Sequence, residues 1–104
     1  MNPLILKKFK SKLLFIIKLK LALITGATKG IGRSTAQTFA RAGWNLILLA
    51  RDIQKLQDLK NQLSNTDVQI NLMACDLSQS DKVDQYINEC LEIYGCPTVV
   101  INNA

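Results

Sequence analysis

From Lys20 onward, short unbroken apolar runs alternate with longer stretches in which apolar residues recur every three or four positions. An unbroken apolar run suits a strand covered on both faces of a parallel sheet, and the longer period is that of a helix with one face on such a sheet. The pattern predicts strands at Lys20 to Thr25, Asn45 to Ala50, Val68 to Met73 and Thr98 to Asn102. Helices are predicted over Gly30 to Ala42, Asp52 to Leu63 and Gln79 to Tyr94. In the second helix Ile53, Leu56, Leu59 and Leu63 share a face, and Asp52 stands where its carboxylate can cap the first turn. In the third, Ser78 is the candidate cap, Val83, Ile87, Cys90, Leu91 and Tyr94 are expected to face the sheet, and Gly95 to end the helix. The order βαβαβαβ with right-handed crossovers gives half of a doubly wound parallel α/β sheet, strand order 3-2-1-4. Connections change direction between the first and fourth strands, so a cleft is expected at their carboxyl ends.

Residues 1–20 break this pattern. They hold six lysines and no acid, whereas residues 21–104 hold seven basic and eight acidic residues, so the net charge of +5 belongs to one end of the chain. The domain itself therefore gives no support to a nucleic-acid partner. The longest apolar run in this segment, Leu13 to Ile17, is too short to span a membrane, and Lys18 and Lys20 interrupt any signal-peptide core. At helical spacing Lys8 and Lys12 fall beside Ile5 and Phe15, which weakens an amphipathic membrane-surface reading. Residues 1–20 are expected to be a poorly ordered extension feeding the first strand, with contact to a membrane surface or a partner as the alternative. Cys75, Cys90 and Cys96 are widely spaced and the chain has no histidine, so a metal site is not expected. The cysteines read as small buried hydrophobes in a reducing compartment, without a disulfide.

The chemistry concentrates at Thr25-Gly26-Ala27-Thr28-Lys29-Gly30-Ile31-Gly32, between the first strand and the first helix. Gly26 permits a tight turn, Gly30 a close backbone approach by phosphates, and Gly32 close packing of helix on sheet. The helix N-terminus behind them offers unpaired N–H groups and about half a positive charge to an anion. The spacing is Gly-x-x-x-Gly-x-Gly, and no Gly-Lys-Ser/Thr follows to make a P-loop.

This turn resembles the cofactor motif of the short-chain dehydrogenase/reductase family, in its non-extended branch, which includes 3-oxoacyl-carrier-protein reductases. The resemblance runs from about Leu21 to Ala104. It is carried further by Arg51-Asp52 after the second strand, Asp76-Leu77 after the third and Asn102-Asn103-Ala104 after the fourth. It implies a Rossmann-type fold that binds a nicotinamide dinucleotide across Gly26, Ala27, Thr28, Lys29, Gly30, Ile31 and Gly32. The ribose-binding acid expected about 20 positions beyond such a turn is replaced here by Ala50 and Arg51. With Lys29 as a second cation, NADP(H) is favoured over NAD(H). The resemblance gives Asp76 and Leu77 the adenine edge, Asn103 the cofactor ribose and Ala104 a place among the cofactor-binding residues, while Asn102 is expected to tie the fourth strand to its neighbours.

It also implies hydride transfer to or from a carbonyl or alcohol substrate, in a cytoplasmic homo-oligomer whose substrate loops and interfaces come mainly from a following half. The family's catalytic Tyr-x-x-x-Lys is missing from this sequence, because Cys90 and Thr98 stand four residues beyond Tyr86 and Tyr94. No catalytic residue is therefore assigned, and both tyrosines read as helix residues packing on the sheet or reaching solvent. The end of the chain inside Asn-Asn-Ala reads as a fragment boundary. On that reading the 104-residue chain is marginally stable and reduces no carbonyl. A non-catalytic nucleotide-binding module is the alternative.

Overall fold

The computed structural model describes residues 2–8 and 20–103, with the side chains of residues 80, 81 and 83 outside that description. The expectations for Val83 and Ala104, and most of those for residues 1–20, therefore fall outside the described residues. Strands β1 (Leu21–Thr25), β2 (Asn45–Ala50), β3 (Ile70–Ala74) and β4 (Val99–Asn102) alternate with helices α1 (Gly30–Arg41), α2 (Ile53–Gln62) and α3 (Ser80–Tyr94). The sheet is parallel throughout, in the order β3-β2-β1-β4. This is the expected half of a doubly wound fold.

The two faces of the sheet explain the unbroken apolar runs. Ala22, Ile24, Leu46 and Leu48 pack with Ala36 and Ala40 of α1 and Leu56 and Leu59 of α2. Their chain neighbours Leu21, Leu23, Ile47 and Leu49 point the other way, onto Cys75 and Cys90, with Tyr86, Tyr94, Met73 and Leu77 at the margin. Alternate residues of a strand face opposite sides, so burial on both sides leaves no position for a polar residue. Alanine at positions 36 and 40 lets α1 lie close over the central strands.

Local chemistry sets the element ends. The Asp52 carboxylate accepts from the N–H groups of Gln54 and Lys55 and caps α2, as expected. Gly95 ends α3 at φ +88°, where a side chain would be strained. β3 starts at Ile70 and not at Val68, because the Asn45 side chain accepts from the Gln69 N–H at 2.9 Å, where the next rung of the ladder would be. The strand then runs one residue beyond Met73, to Ala74.

Three apolar expectations are corrected. Ile53 is 47% exposed, because it sits in the first turn of α2, above the carboxyl ends of the strands. Ile87 and Leu91 are each 40% exposed. Among the described residues of α3, those that meet the sheet are Tyr86, Cys90 and Tyr94, four apart, and Ile87 and Leu91 lie about 100° further round the helix. Cys96 is exposed, in the loop before β4, whereas Cys75 and Cys90 are buried, and all three thiols are free. Burial pushes the Cys75 and Cys90 thiols above their ordinary range; Asp76 adds to the first effect, and Cys75, then Glu89, to the second. Among the described residues, no helix is long and apolar enough to cross a membrane.

Candidate functional site

The turn after β1 is shaped by its glycines. Gly26 and Gly30 adopt φ of +59° and +48°, a region that side-chain-bearing residues rarely enter. Between them Ala27 is fully buried, and its N–H donates to the Leu49 carbonyl at 3.3 Å, tying the turn to β2. A Cβ on Gly30 would meet no atom within 4 Å, so the space in front of it is open. A Cβ on Gly32 would lie 2.2 Å from the Gly26 carbonyl oxygen. That corrects the role expected for Gly32: the close contact it permits is between α1 and the backbone of the turn, not between helix and sheet.

The N-terminus of α1 is left without a side-chain partner. Lys29, its N-cap residue, is extended and makes no side-chain capping bond, and the first turn holds no acid. α2, built on the same plan, fills its own N-terminus with Asp52. The first N–H groups of a helix need partners, and the helix dipole favours a negative one. Lys29 and Ile31 are exposed beside this end, Ile31 at 75%, and Thr28 is half-buried. Here α1 combines open N–H groups, a nearby cation and an unobstructed glycine.

Arg51 is exposed just past the end of β2, next to β3. After β3, the Ser78 hydroxyl and N–H both donate to the Asp76 carboxylate, at 2.6 and 3.0 Å. These bonds hold Asp76 below the usual carboxylate range against an opposing effect of desolvation, with a still smaller contribution from the Arg51 guanidinium. Ser78 therefore does not cap α3; its side chain is committed to Asp76, and the helix starts two residues later with no side-chain cap at Gln79. Asp76 stands ionised at the carboxyl edge of the sheet, able to accept a hydrogen bond. Leu77 is half-buried against the second core.

Across the cleft, the Thr25 hydroxyl donates to Asn102 Oδ1 at 2.7 Å and accepts from the Asn103 N–H at 3.1 Å. Asn102 thus pins β4 to β1, as expected of it, and Asn103 is exposed at the rim. The strand order sets Asp76, Arg51, the glycine turn and Asn103 in a row along one edge of the sheet. At about 4.8 Å between strands the row is roughly 14 Å long. One feature escaped the sequence reading: Thr28, Arg33, Lys55, Asp58, Leu59 and Gln62 line a cleft between α1 and α2, where Arg33 donates to Gln62 Oε1. The signal for it, Lys55 and Asp58 on the outer side of α2, does not differ from that of any solvated helix face.

A parallel sheet with a glycine turn feeding an open helix N-terminus defines a dinucleotide-binding α/β protein. The chain belongs to the short chain dehydrogenase family, whose sequence profile it matches over residues 20–104. It is 40% identical over 81 residues to a sulfoacetaldehyde reductase of Chromohalobacter salexigens, covering 78% of this chain and 32% of that protein. A metagenomic short-chain oxidoreductase in complex with NADP superposes with a TM-score of 0.76 at 33% identity, over 82% of this chain and 38% of the other. The L-sorbose reductase of Gluconobacter frateurii, complexed with NADPH and L-sorbose, gives 0.75 at 30% identity, over 82% and 33%. The chain spans about a third of the length of the curated relatives it matches.

Proposed function

We propose that this chain is the NADP(H)-binding portion of an oxidoreductase that moves hydride between NADP(H) and a carbonyl or alcohol carbon. The observation that carries the reading is the N-terminus of α1, left without side-chain cap or acid while α2 caps itself. On this reading the backbone from Gly26 through Ala27, Thr28, Lys29, Gly30, Ile31 and Gly32 cradles the pyrophosphate, which the open space before Gly30 admits. Arg51 and Lys29 hold the 2′-phosphate. With Ala50 where an NAD-binding protein places an acid, no carboxylate repels that phosphate. Asp76 accepts from the adenine amine, Leu77 borders the ring, and Asn103 lines the ribose, with Ala104 also among the cofactor-binding residues.

The bound nucleotide supplies the hydride, and this chain's residues hold and orient it. These 104 residues contain no Tyr-x-x-x-Lys, so none of them is assigned the proton transfer that accompanies hydride transfer. A small carbonyl substrate is supported by the sulfoacetaldehyde and L-sorbose reductases among the relatives. A cytoplasmic setting is supported by the three free thiols, and a homo-oligomer by the family resemblance.

The test is calorimetric titration of the chain and its Arg51→Ala variant with NADPH and NADH. A lost charged hydrogen bond of roughly 1.5–3 kcal/mol should weaken NADPH about ten- to a hundredfold and leave NADH nearly unchanged. Equal losses for both nucleotides would remove Arg51 from the 2′-phosphate.

A further inference from the structure

We infer that the amino-terminal segment is a peripheral contact with an anionic lipid bilayer, made by Leu4, Ile5 and Leu6 with Lys7 and Lys8. The family match begins at residue 20, so the segment is an addition to the nucleotide-binding fold. Residues 3–8 are helical, and the Asn2 side chain caps them by accepting from the Leu4 N–H at 2.9 Å. Leu4, Ile5 and Leu6 are 69%, 58% and 40% exposed, a continuous apolar run that belongs to neither core among the described residues, with Lys7 and Lys8 exposed directly after it.

Charge identifies the occupant. The first twenty residues carry six lysines and no acid, while the rest of the chain is near neutral, so an anionic surface attracts this end and not the domain. Their apolar content separates lipid from nucleic acid. A phosphodiester backbone gives Leu4, Ile5 and Leu6 nothing apolar to enter, whereas a bilayer offers headgroup charge and hydrocarbon within a few ångströms. All six cations are lysines with no arginine, which suits diffuse headgroup attraction better than bidentate phosphate recognition. Lysines need not be sorted onto one face for this, because their long stems lie along apolar surface while the ammonium stays in the headgroup layer. No apolar run among the first twenty residues is longer than Leu13 to Ile17, which is too short to span a bilayer.

The test is co-sedimentation of the full chain with vesicles of phosphatidylcholine, alone or with phosphatidylserine added. Binding is expected only with phosphatidylserine and should disappear at about 1 M salt, where the Debye length is about 3 Å. Near an anionic surface each lysine is worth about fivefold, so a Lys7→Gln/Lys8→Gln variant should bind roughly 25-fold more weakly. A Leu4→Ser/Ile5→Ser/Leu6→Ser variant should lose binding even at low salt. These substitutions lie outside the nucleotide-binding fold, so an unchanged thermal melt of the domain is expected of both variants. No sedimentation, equal sedimentation with neutral vesicles, or unchanged binding by either variant would each overturn the inference.

Discussion

Replacing Gly32 by alanine is expected to damage stability and nucleotide binding together, although alanine is the better helix former. In an open helix the exchange would add up to about 1 kcal/mol of stability. Here the new Cβ would lie 2.2 Å from the Gly26 carbonyl oxygen, 2.9 Å from the Gly26 carbonyl carbon and 3.2 Å from Ala27 Cα. All three are backbone atoms, and Ala27 is buried and bonded to Leu49, so no side chain can swing aside. Helix and turn must separate by roughly 1 Å to reach ordinary contact. Overpacking of this kind costs about 1–3 kcal/mol, which leaves a net loss of up to about 2 kcal/mol after the helical gain. For a domain of this size that is a fall in Tm of up to roughly 15 °C. The same shift moves the first N–H groups of α1 off their aim, and the loss of even one charged bond weakens NADPH at least about tenfold. Thermal melts at 222 nm and calorimetric titration measure the two effects. Gly30→Ala separates them: with open space around it, it should cost only the left-handed backbone, about 1–2 kcal/mol, while placing a methyl on the phosphate path. A Gly32→Ala protein as stable as the parent and unchanged toward NADPH would refute the account of the turn.

Thr25→Val removes the hydroxyl that joins β1 to Asn102 and Asn103 and should cost about 1–3 kcal/mol in chemical denaturation, with Thr25→Ser recovering most of it. Asp52→Ala uncaps α2 and should lower stability by about 1 kcal/mol, without the change in NADPH affinity expected at Arg51. Toward a thiol reagent Cys96 should react at once and Cys75 and Cys90 only on unfolding; equal rates for all three would contradict their burial. Because the fold holds the Cys75 and Cys90 protons more tightly than the unfolded chain does, stability should fall as pH rises above about 8.5. A Cys75→Ser/Cys90→Ser variant should lose that slope.

Periodicity revealed the architecture because both faces of the sheet are covered, which makes each strand an unbroken apolar run and each helix a one-sided one. The glycine turn was legible for a related reason: positive φ at Gly26 and Gly30 admits few other residues. What stayed hidden depended on distances that spacing does not encode. Ser78 has the chemistry of a helix cap, yet the nearer Asp76 carboxylate takes its hydroxyl. Ile87 and Leu91 satisfy a helical stripe on paper, but the sheet meets α3 along Tyr86, Cys90 and Tyr94, a register set by the strands beneath. The clash behind Gly32 is with a carbonyl six residues earlier, which no hydropathy pattern marks.

The bond from Thr25 to Asn102 joins residues 77 apart in sequence, whereas β1 meets β2 in a register that begins with Leu21 opposite Asn45. Bringing the distant pair together in an unfolded chain costs about 1 kcal/mol more in loop entropy than the nearer one. During synthesis β1 and β2 are available to pair, with the glycine turn between them, long before β4 exists. The wall of the cleft that carries Asn103 thus forms after the wall that carries the glycine turn.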